Sequence, residues 1–267
     1  MTHCQKLDLI PDLLALHQFK PDQYPYLLAS NTVGQINTRY SILMAYPEST
    51  YLLDNGVDIL DKIDTPISSS NESDPNSDLP FVGGWFIYLS YEYSRFVESG
   101  VSFHQPELGS PVALISKIPA AVIIDHDKNC SFIVTNNESE TLKTKISDDI
   151  AKISAFKPKA IPKCKILEED ADTYRHHLEL IRQYIIEGDI FQANLSRLWK
   201  VSYDEMCDPI SLYHQLKINN PSPFAALIKI SDQYLLSSSP ERLISVKNGT
   251  AETRPIAGTY PRGKTKD

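Results

Sequence analysis

Short β-branched runs joined by tight polar turns constrain this chain more than any other feature. Ala120–Asp125 (AAVIID) and Ser131–Thr135 (SFIVT) flank His126-Asp127-Lys128-Asn129, which reads as a hairpin. Leu243–Lys247 and Thr250–Arg254 are joined by Asn248-Gly249, a pair suited to the positive φ of a two-residue turn. Phe224–Ile230 and Tyr234–Ser238 read as further strands. Helices interrupt them. Tyr174, Leu178, Ile181 and Ile185 share one helical face, with Asp172 as the expected N-cap and Gly188 as the stop. Asp208 and Pro209 open a second helix to about Ile218. Hairpin strands with helices inserted between them predict an α+β fold with antiparallel sheets, not a doubly wound parallel sheet.

The chain has 267 residues and a net charge of −8, 42% hydrophobic and 22% charged. That is the composition of a folded globular protein able to bury a sizeable core. An acidic chain with no basic face repels phosphate backbones, which argues against nucleic acid as a partner. No run approaches the roughly 18 apolar residues of a membrane span, so no membrane association is expected. The opening MTHCQKLDLIPDLL lacks the basic stretch and apolar core of a signal peptide. Cys4, Cys130, Cys164 and Cys207 lie too far apart for a zinc clip or a disulfide framework. They read as small buried thiols in a reducing compartment, and the expected location is cytoplasmic.

Two segments punctuate the chain. Ser68–Asp78 (SSSNESDPNSD) has nothing apolar to bury and reads as a solvated loop. Phe156–Lys165 (FKPKAIPKCK) is basic, carries two prolines and reads as an extended crossover. The expected division is therefore an N-terminal region over 1–155, the crossover over 156–165, and a second region over 166–267. Within Phe81–Tyr93 (FVGGWFIYLSYEY), Gly83-Gly84 predicts a close backbone approach at the start of a strand.

Gly258–Thr265 (GTYPRGKT) matches the phosphate-loop pattern letter for letter. It lacks the preceding buried strand and the following helix that would converge amides on a phosphate, and Pro261 removes one amide. Nucleotide hydrolysis is set aside. Three other segments place polar groups on short frames. In Glu187–Arg197, Gln192, Asn194 and Ser196 alternate with Phe191, Ala193 and Leu195, as on a strand with one polar face. In Ser237-Ser-Ser-Pro-Glu-Arg242, Glu241 could serve as a general acid if partial burial keeps it protonated; the alternative is a surface turn. In Thr253-Arg-Pro-Ile-Ala-Gly-Thr259, successive amides and a hydroxyl could bind a carboxylate, or form an ordinary Pro/Gly loop. The seven histidines show no metal-ligand spacing.

Taken together, GDIFQANLSR, SSSPERLI and ETRPIAGTYPRG resemble, in order and spacing, the chorismate-utilising enzymes, specifically the large synthase subunits of anthranilate and aminodeoxychorismate synthases. Asn220-Pro-Ser-Pro-Phe224 is similar to the family's NPSPY/F segment. Tyr26-Leu-Leu-Ala-Ser30 with Arg39-Tyr-Ser41 is similar to its N-terminal effector region. The resemblance implies two facing antiparallel sheets with helices outside. It implies Glu241 as the acid that protonates the departing 4-hydroxyl of chorismate. It implies Gln192, Ala257, Gly258 and Thr259 as substrate-binding positions. Ser30, Arg39, Tyr40, Ser41, Pro221 and Phe224 are the implied effector site, with tryptophan as its effector. Mg²⁺ is the implied cofactor and a glutaminase subunit, supplying ammonia, the implied partner.

Particular positions bear on the branch. Gln192 stands where water-adding relatives carry a Lys, and an amide cannot act as a base, which points to ammonia. Ala257 gives PIAGT, the anthranilate-synthase spelling that some aminodeoxychorismate synthases share, in place of PIKGT. Ala29 replaces the Glu of the LLES motif, and GGWFIYLSYEY resembles the folate-branch enzymes, so the expectation is aminodeoxychorismate synthase, with anthranilate synthase as the alternative and a non-catalytic tryptophan-binding module as another. Family members continue past PIAGT with the Mg²⁺ ligands, so those ligands are expected beyond residue 267. The chain is read as an N-terminal fragment with the C-terminal part of the fold missing, and it is expected to be inactive by itself.

Overall fold

The computed structural model describes residues 3–30, 39–53, 79–98, 100, 111–136, 140–247 and 249–256. The Ser68–Asp78 segment, Asn248, and Ala257 onward, including Gly258–Thr265, lie outside the described residues. In chain order the strands are β1 (His3–Leu7), β2 (Tyr26–Ala29), β3 (Tyr40–Ala45), β4 (Ser49–Leu53), β5 (Gly84–Leu89), β6 (Ala113–Ile118), β7 (Ala120–Asp125), β8 (Cys130–Thr135), β9 (Cys164–Glu168), β10 (Trp199–Tyr203), β11 (Phe224–Ile230), β12 (Gln233–Ser239), β13 (Ser245–Lys247) and β14 (Thr250–Glu252). The helices are α1 (Leu13–Phe19), α2 (Ser94–Val97), α3 (Glu140–Lys152), α4 (Ala171–Glu187) and α5 (Pro209–Asn219). Every ladder is antiparallel, as the hairpin pattern predicts, and the fold is α+β.

The chain divides into two compact units, Met1–Pro158 with Tyr213–Asp267, and Lys159–Leu212. This differs from a division at the 156–165 crossover, because chain from beyond the crossover returns to the first sheet. That sheet has seven strands in the order β1-β8-β7-β3-β2-β11-β12, so β11 lies directly beside β2. A row of cross-strand partners, Leu227, Leu27, Leu43, Val122 and Ile133, runs across one face. Each is at most 2% exposed. Burial of such side chains contributes about 1.5–3 kcal/mol apiece. The opposite face carries Tyr26, Met44, Ala226 and Ile228, which pack against Phe86, Leu114 and Ile118 of the three-stranded sheet β4-β6-β5. The Tyr26 and Phe86 rings stack at 4.0 Å and 9°. Two sheets therefore face one another across an apolar core, and β7, covered on both sides, is buried along its whole length.

Gly83 and Gly84 have φ of 105° and 147°. A Cβ at Gly83 would lie 3.5 Å from Asn136 Cβ and 3.6 Å from the Ile118 carbonyl. The close approach expected there is to the β6–β7 connection, and the positive φ is what demands glycine.

A buried carboxylate anchors α3. Asp149, 2% exposed, accepts from Lys20 Nζ at 2.6 Å, Tyr24 Oη at 2.9 Å and Tyr46 Oη at 2.7 Å. Lys20 and Tyr24 lie in the α1–β2 connection and Tyr46 in the β3–β4 connection, so one side chain ties a helix to two connections. Burial by itself would raise the Asp149 pKa, but the hydrogen bonds from Lys20, Tyr46 and Tyr24 outweigh it and hold the carboxyl below its usual range.

In the second unit, β9 and β10 form a two-stranded ribbon pairing Val201 with Ile166. The N-cap of α4 is Asp170, not Asp172: its Oδ2 accepts the Thr173 amide at 2.8 Å, while Asp172 sits in the first turn and pairs with Arg175 at 2.6 Å. Gly188 ends the helix at φ 85°, as expected. The strand expected over 191–196 is absent; regular pairing begins only at Trp199. Alternation sets which residues share a face, but a strand also needs a hydrogen-bonded neighbour, and none runs beside 191–197 among the described residues. The second expected helix, by contrast, opens at Pro209 with Asp208 accepting the Ser211 amide at 2.9 Å. The cysteines are not buried: Cys4 and Cys164 are exposed and Cys130 and Cys207 half-buried. Cys4 and Cys164 sit on β1, at a sheet edge, and β9, of a two-stranded ribbon, where little covers a side chain.

Asp149→Asn is expected to lower the unfolding free energy by about 3 kcal/mol, the scale for removing one member of a buried charged network, measured by urea denaturation at pH 7. A carboxyl whose folded pKa is depressed contributes stability above its unfolded pKa of about 3.9 and loses it as pH falls through the folded value. The gap between wild type and variant should therefore be full at pH 7 and close progressively below about pH 4.

Candidate functional site

The end of β2, the start of β3 and the start of β11 meet around a cavity of about 610 Å³. Leu28, Ala29, Ser30, Arg39, Tyr40 and Ile42 line it together with Pro80, Asp127, Pro223, Phe224, Ala225 and Arg242. The pairing of Ala225 with Ala29 brings these segments together. Ser30 Oγ donates to the Pro223 carbonyl at 3.0 Å, and its amide donates to Ser41 Oγ at 3.2 Å. Ser41 Oγ is also 2.8 Å from His126 Nε2.

Arg39 is fixed by the wall behind it. Its Nη2 donates to Asp125 Oδ2 at 2.9 Å and its Nε reaches both carboxylate oxygens at 3.2 Å. Asp125 is 1% exposed and its Oδ1 also accepts the Asp127 and Lys128 amides. Burial opposes ionisation of Asp125, but the Arg39 and Lys128 hydrogen bonds prevail and hold its pKa below the ordinary carboxylate value. The Arg39 guanidinium lies 4.6 Å from the Tyr40 ring centre, a cation–π contact that orients that ring.

Of the expected effector residues, Ser30, Arg39, Tyr40 and Phe224 line the cavity together. Ser41 stands behind them, bonded to Ser30. Pro221 is exposed and is not among the lining residues, whereas Pro223 is. Alternation on β2 and β3 carries Leu28 and Ile42 onto the same wall as Ser30 and Tyr40, a signal present in the sequence. Pro80, Asp127 and Arg242 reach the cavity only through the tertiary fold.

Glu241 follows β12 in an irregular segment and is half-buried. Its Oε2 accepts the Ile256 amide at 3.3 Å, and Ser239 Oγ donates to its carbonyl at 3.0 Å. The carboxylate therefore meets the Thr253–Thr259 segment at residue 256. Ala257, Gly258 and Thr259 lie outside the described residues. Gln192, in the Lys159–Leu212 unit, is exposed, with Nε2 3.5 Å from Asn194 Oδ1. Among the described residues no group of three or more His, Cys, Asp or Glu side chains is placed to hold a metal ion. No helix among the described residues is long and apolar enough to cross a membrane.

The profile of the chorismate binding enzymes matches residues 24–267, and the chain belongs to that family. It is 34% identical over 188 residues to an anthranilate synthase component I-like protein of Synechocystis, covering 70% of this chain and 38% of the relative. It is 31% identical over 209 residues to aminodeoxychorismate synthase component 1 of Bacillus subtilis (73% of this chain, 44% of the relative). It is 32% identical over 217 residues to anthranilate synthase component 1 of the same organism (72% and 42%). The crystal structure of anthranilate synthase component I from Streptococcus pneumoniae TIGR4 superposes with a TM-score of 0.66 at 24% identity, covering 82% of this chain and 54% of that one, a likeness of fold. The chain thus spans about half the length, or less, of these relatives.

Glu241 is half-buried and, among the described residues, its carboxylate makes one long hydrogen bond, so Glu241→Gln should change the unfolding free energy by no more than about 0.5 kcal/mol. A thermal or urea unfolding curve superposable on wild type is the expected result; a large loss would make Glu241 a structural residue.

Proposed function

We propose that this chain is part of the large subunit of an aminodeoxychorismate synthase, which aminates chorismate to 4-amino-4-deoxychorismate for p-aminobenzoate and folate biosynthesis. Ammonia comes from a glutaminase subunit. The observation that carries the chemistry is the contact of the Glu241 carboxylate with the Ile256 amide, which joins the acid to the segment that leads into Gly258 and Thr259. In this reading Gly258 and Thr259 hold a substrate carboxylate, with Ala257 beside them. Glu241 gives its proton to the 4-hydroxyl as the C–O bond breaks, so the leaving group departs as water while the ammonia nitrogen forms the new C–N bond. Gln192 has no basic group to activate water, which favours ammonia as the nucleophile. The resemblance adds Mg²⁺ as cofactor, and no described residue is assigned to it.

The branch is supported by Ala29. It lies in the cavity wall where the anthranilate-synthase motif has Glu, so no carboxylate is present at that position to hold an effector's ammonium group. We assign the cavity an effector-type role, with Ser30, Arg39, Tyr40 and Phe224 in its lining and Ser41 behind them. The same cavity favours a second reading, a non-catalytic module that binds tryptophan.

The test is product identity. The chain assembled with the further length its relatives carry, incubated with chorismate, Mg²⁺ and an ammonium salt, should yield 4-amino-4-deoxychorismate by chromatography. Anthranilate would move the chain to the other branch. The 267-residue chain by itself should give no turnover, and ammonia-dependent turnover by it would overturn that expectation.

A further inference from the structure

The cysteines lie far apart in the sequence, yet Cys164 and Cys207 belong to one compact unit, Lys159–Leu212. In the β9–β10 ribbon Cys164 is the cross-strand partner of Tyr203. The next pair outward is closed by a hydrogen bond from the Asp204 amide to the Lys163 carbonyl at 3.0 Å. Bonded and non-bonded pairs alternate along an antiparallel ladder, so Cys164 and Tyr203 form a non-hydrogen-bonded pair. Such pairs set side chains closest, with Cα atoms about 4.5 Å apart. The Cys164 thiol therefore stands beside the Tyr203 side chain on one face of the ribbon. Cys207 reaches the same tyrosine from its other end, where its thiol and the Tyr203 hydroxyl share a hydrogen bond. Burial raises the Tyr203 pKa, and Cys207 and then Cys164 raise it further, so both sulfurs act on one phenol.

Cys164 is exposed and Cys207 half-buried, so a small reagent reaches the first more readily than the second. The chain around Cys207 is anchored at Asp204 by Lys163, and at Asp208, which accepts the Ser211 amide at 2.9 Å and caps α5. Residues 205–207 lie between these anchors, outside ladder and helix, and Met206 is 97% exposed. A turn of this short segment carries Cys207 along the Tyr203 side chain to Cys164 while the ribbon stays paired. We propose that Cys164 and Cys207 are a reversible disulfide pair, oxidised by a low-molecular-weight disulfide of the glutathione type. The Cys164 thiolate attacks one sulfur of glutathione disulfide, whose S–S bond breaks and releases one glutathione. The Cys207 thiolate then attacks the Cys164 sulfur of the mixed disulfide and releases the second glutathione. Two protein thiols are oxidised to one disulfide, glutathione disulfide is reduced to two thiols, and the two protein thiol protons pass to the released glutathiones. The bond clips the end of the ribbon where the chain enters β9 and leaves β10 to the segment that leads into α5. In a reducing compartment such a bond is transient and reports the thiol balance.

The test is made on the 267-residue chain, reduced and then incubated with oxidised glutathione. Wild type should lose the thiols of Cys164 and Cys207, fall in mass by two hydrogen atoms, and give a proteolytic peptide pair linked through these two residues. Dithiothreitol should reverse all three changes. Amide hydrogen exchange over β9 and β10 should slow in the oxidised form and recover on reduction. Cys207→Ser should stop at the first step, with one glutathione held on Cys164. Cys164→Ser should give no linked peptide. Should either single variant fail to fold, the double variant Cys4→Ser, Cys130→Ser decides, since it keeps the pair and should oxidise as wild type does. Glutathione adducts that accumulate on both Cys164 and Cys207 without a link between them would overturn the proposal. So would a bridge from either residue to Cys4 or Cys130, a covalent dimer in place of the internal bond, or two thiols that stay unreacted.

Discussion

The pairing of β11 with β2 is the constraint on which the first unit depends. Residues 225–228 take register against residues 26–29, closing into one sheet two parts of the chain far apart in sequence. The register is set by apolar faces: Leu227 must meet Leu27 on one side and Ala226 must meet Leu28 on the other, and a slip of one residue would send both sets to the wrong face. Because the core against the three-stranded sheet includes Ala226, Ile228 and Ile230, the returning strand supplies a substantial part of that core.

The same pairing makes the cavity. Ser30 follows β2 directly and Pro223 precedes β11, so antiparallel register places them side by side, within reach of a hydrogen bond. It also delivers β12, and after it the segment with Glu241 and Arg242, to the cavity rim. The cavity wall and the segment carrying Glu241 are therefore brought together by one strand pairing.

Buried charge is used sparingly and in pairs. Asp149 and Asp125 are almost fully buried, and each ionised carboxyl is compensated by a basic side chain plus further donors. Such groups are expensive to desolvate, so they fix geometry more than they add stability. Asp149 sets α3 against the connections around α1, β2 and β3, and Asp125 sets Arg39 and the β7–β8 turn at the cavity wall. Arg242 and Glu252 differ: both are partly exposed, and their contact is long at 3.3 Å.

Much of this was legible in the residues themselves. The β-branched runs and the polar turns between them specify β7, β8, β11 and antiparallel pairing, because a period-two apolar pattern and turn chemistry act over a few residues. Gly188 and Asp208 likewise mark helix ends by local hydrogen bonding. Local pattern misled at Gln192–Ser196, where alternation occurs without a neighbouring strand, and at Cys4 and Cys164, whose exposure follows from edge positions that composition does not reveal. Ser30, Arg39 and Tyr40 are singled out only by the resemblance of their motifs to a known family, and Pro80, Asp127, Pro223 and Arg242 are not singled out at all. Which side chains enclose a common space depends on sheet order and register, and these are decided by long-range burial. Sequence spacing alone determines the elements and the chemistry they carry; only the closed sheet decides which of them meet.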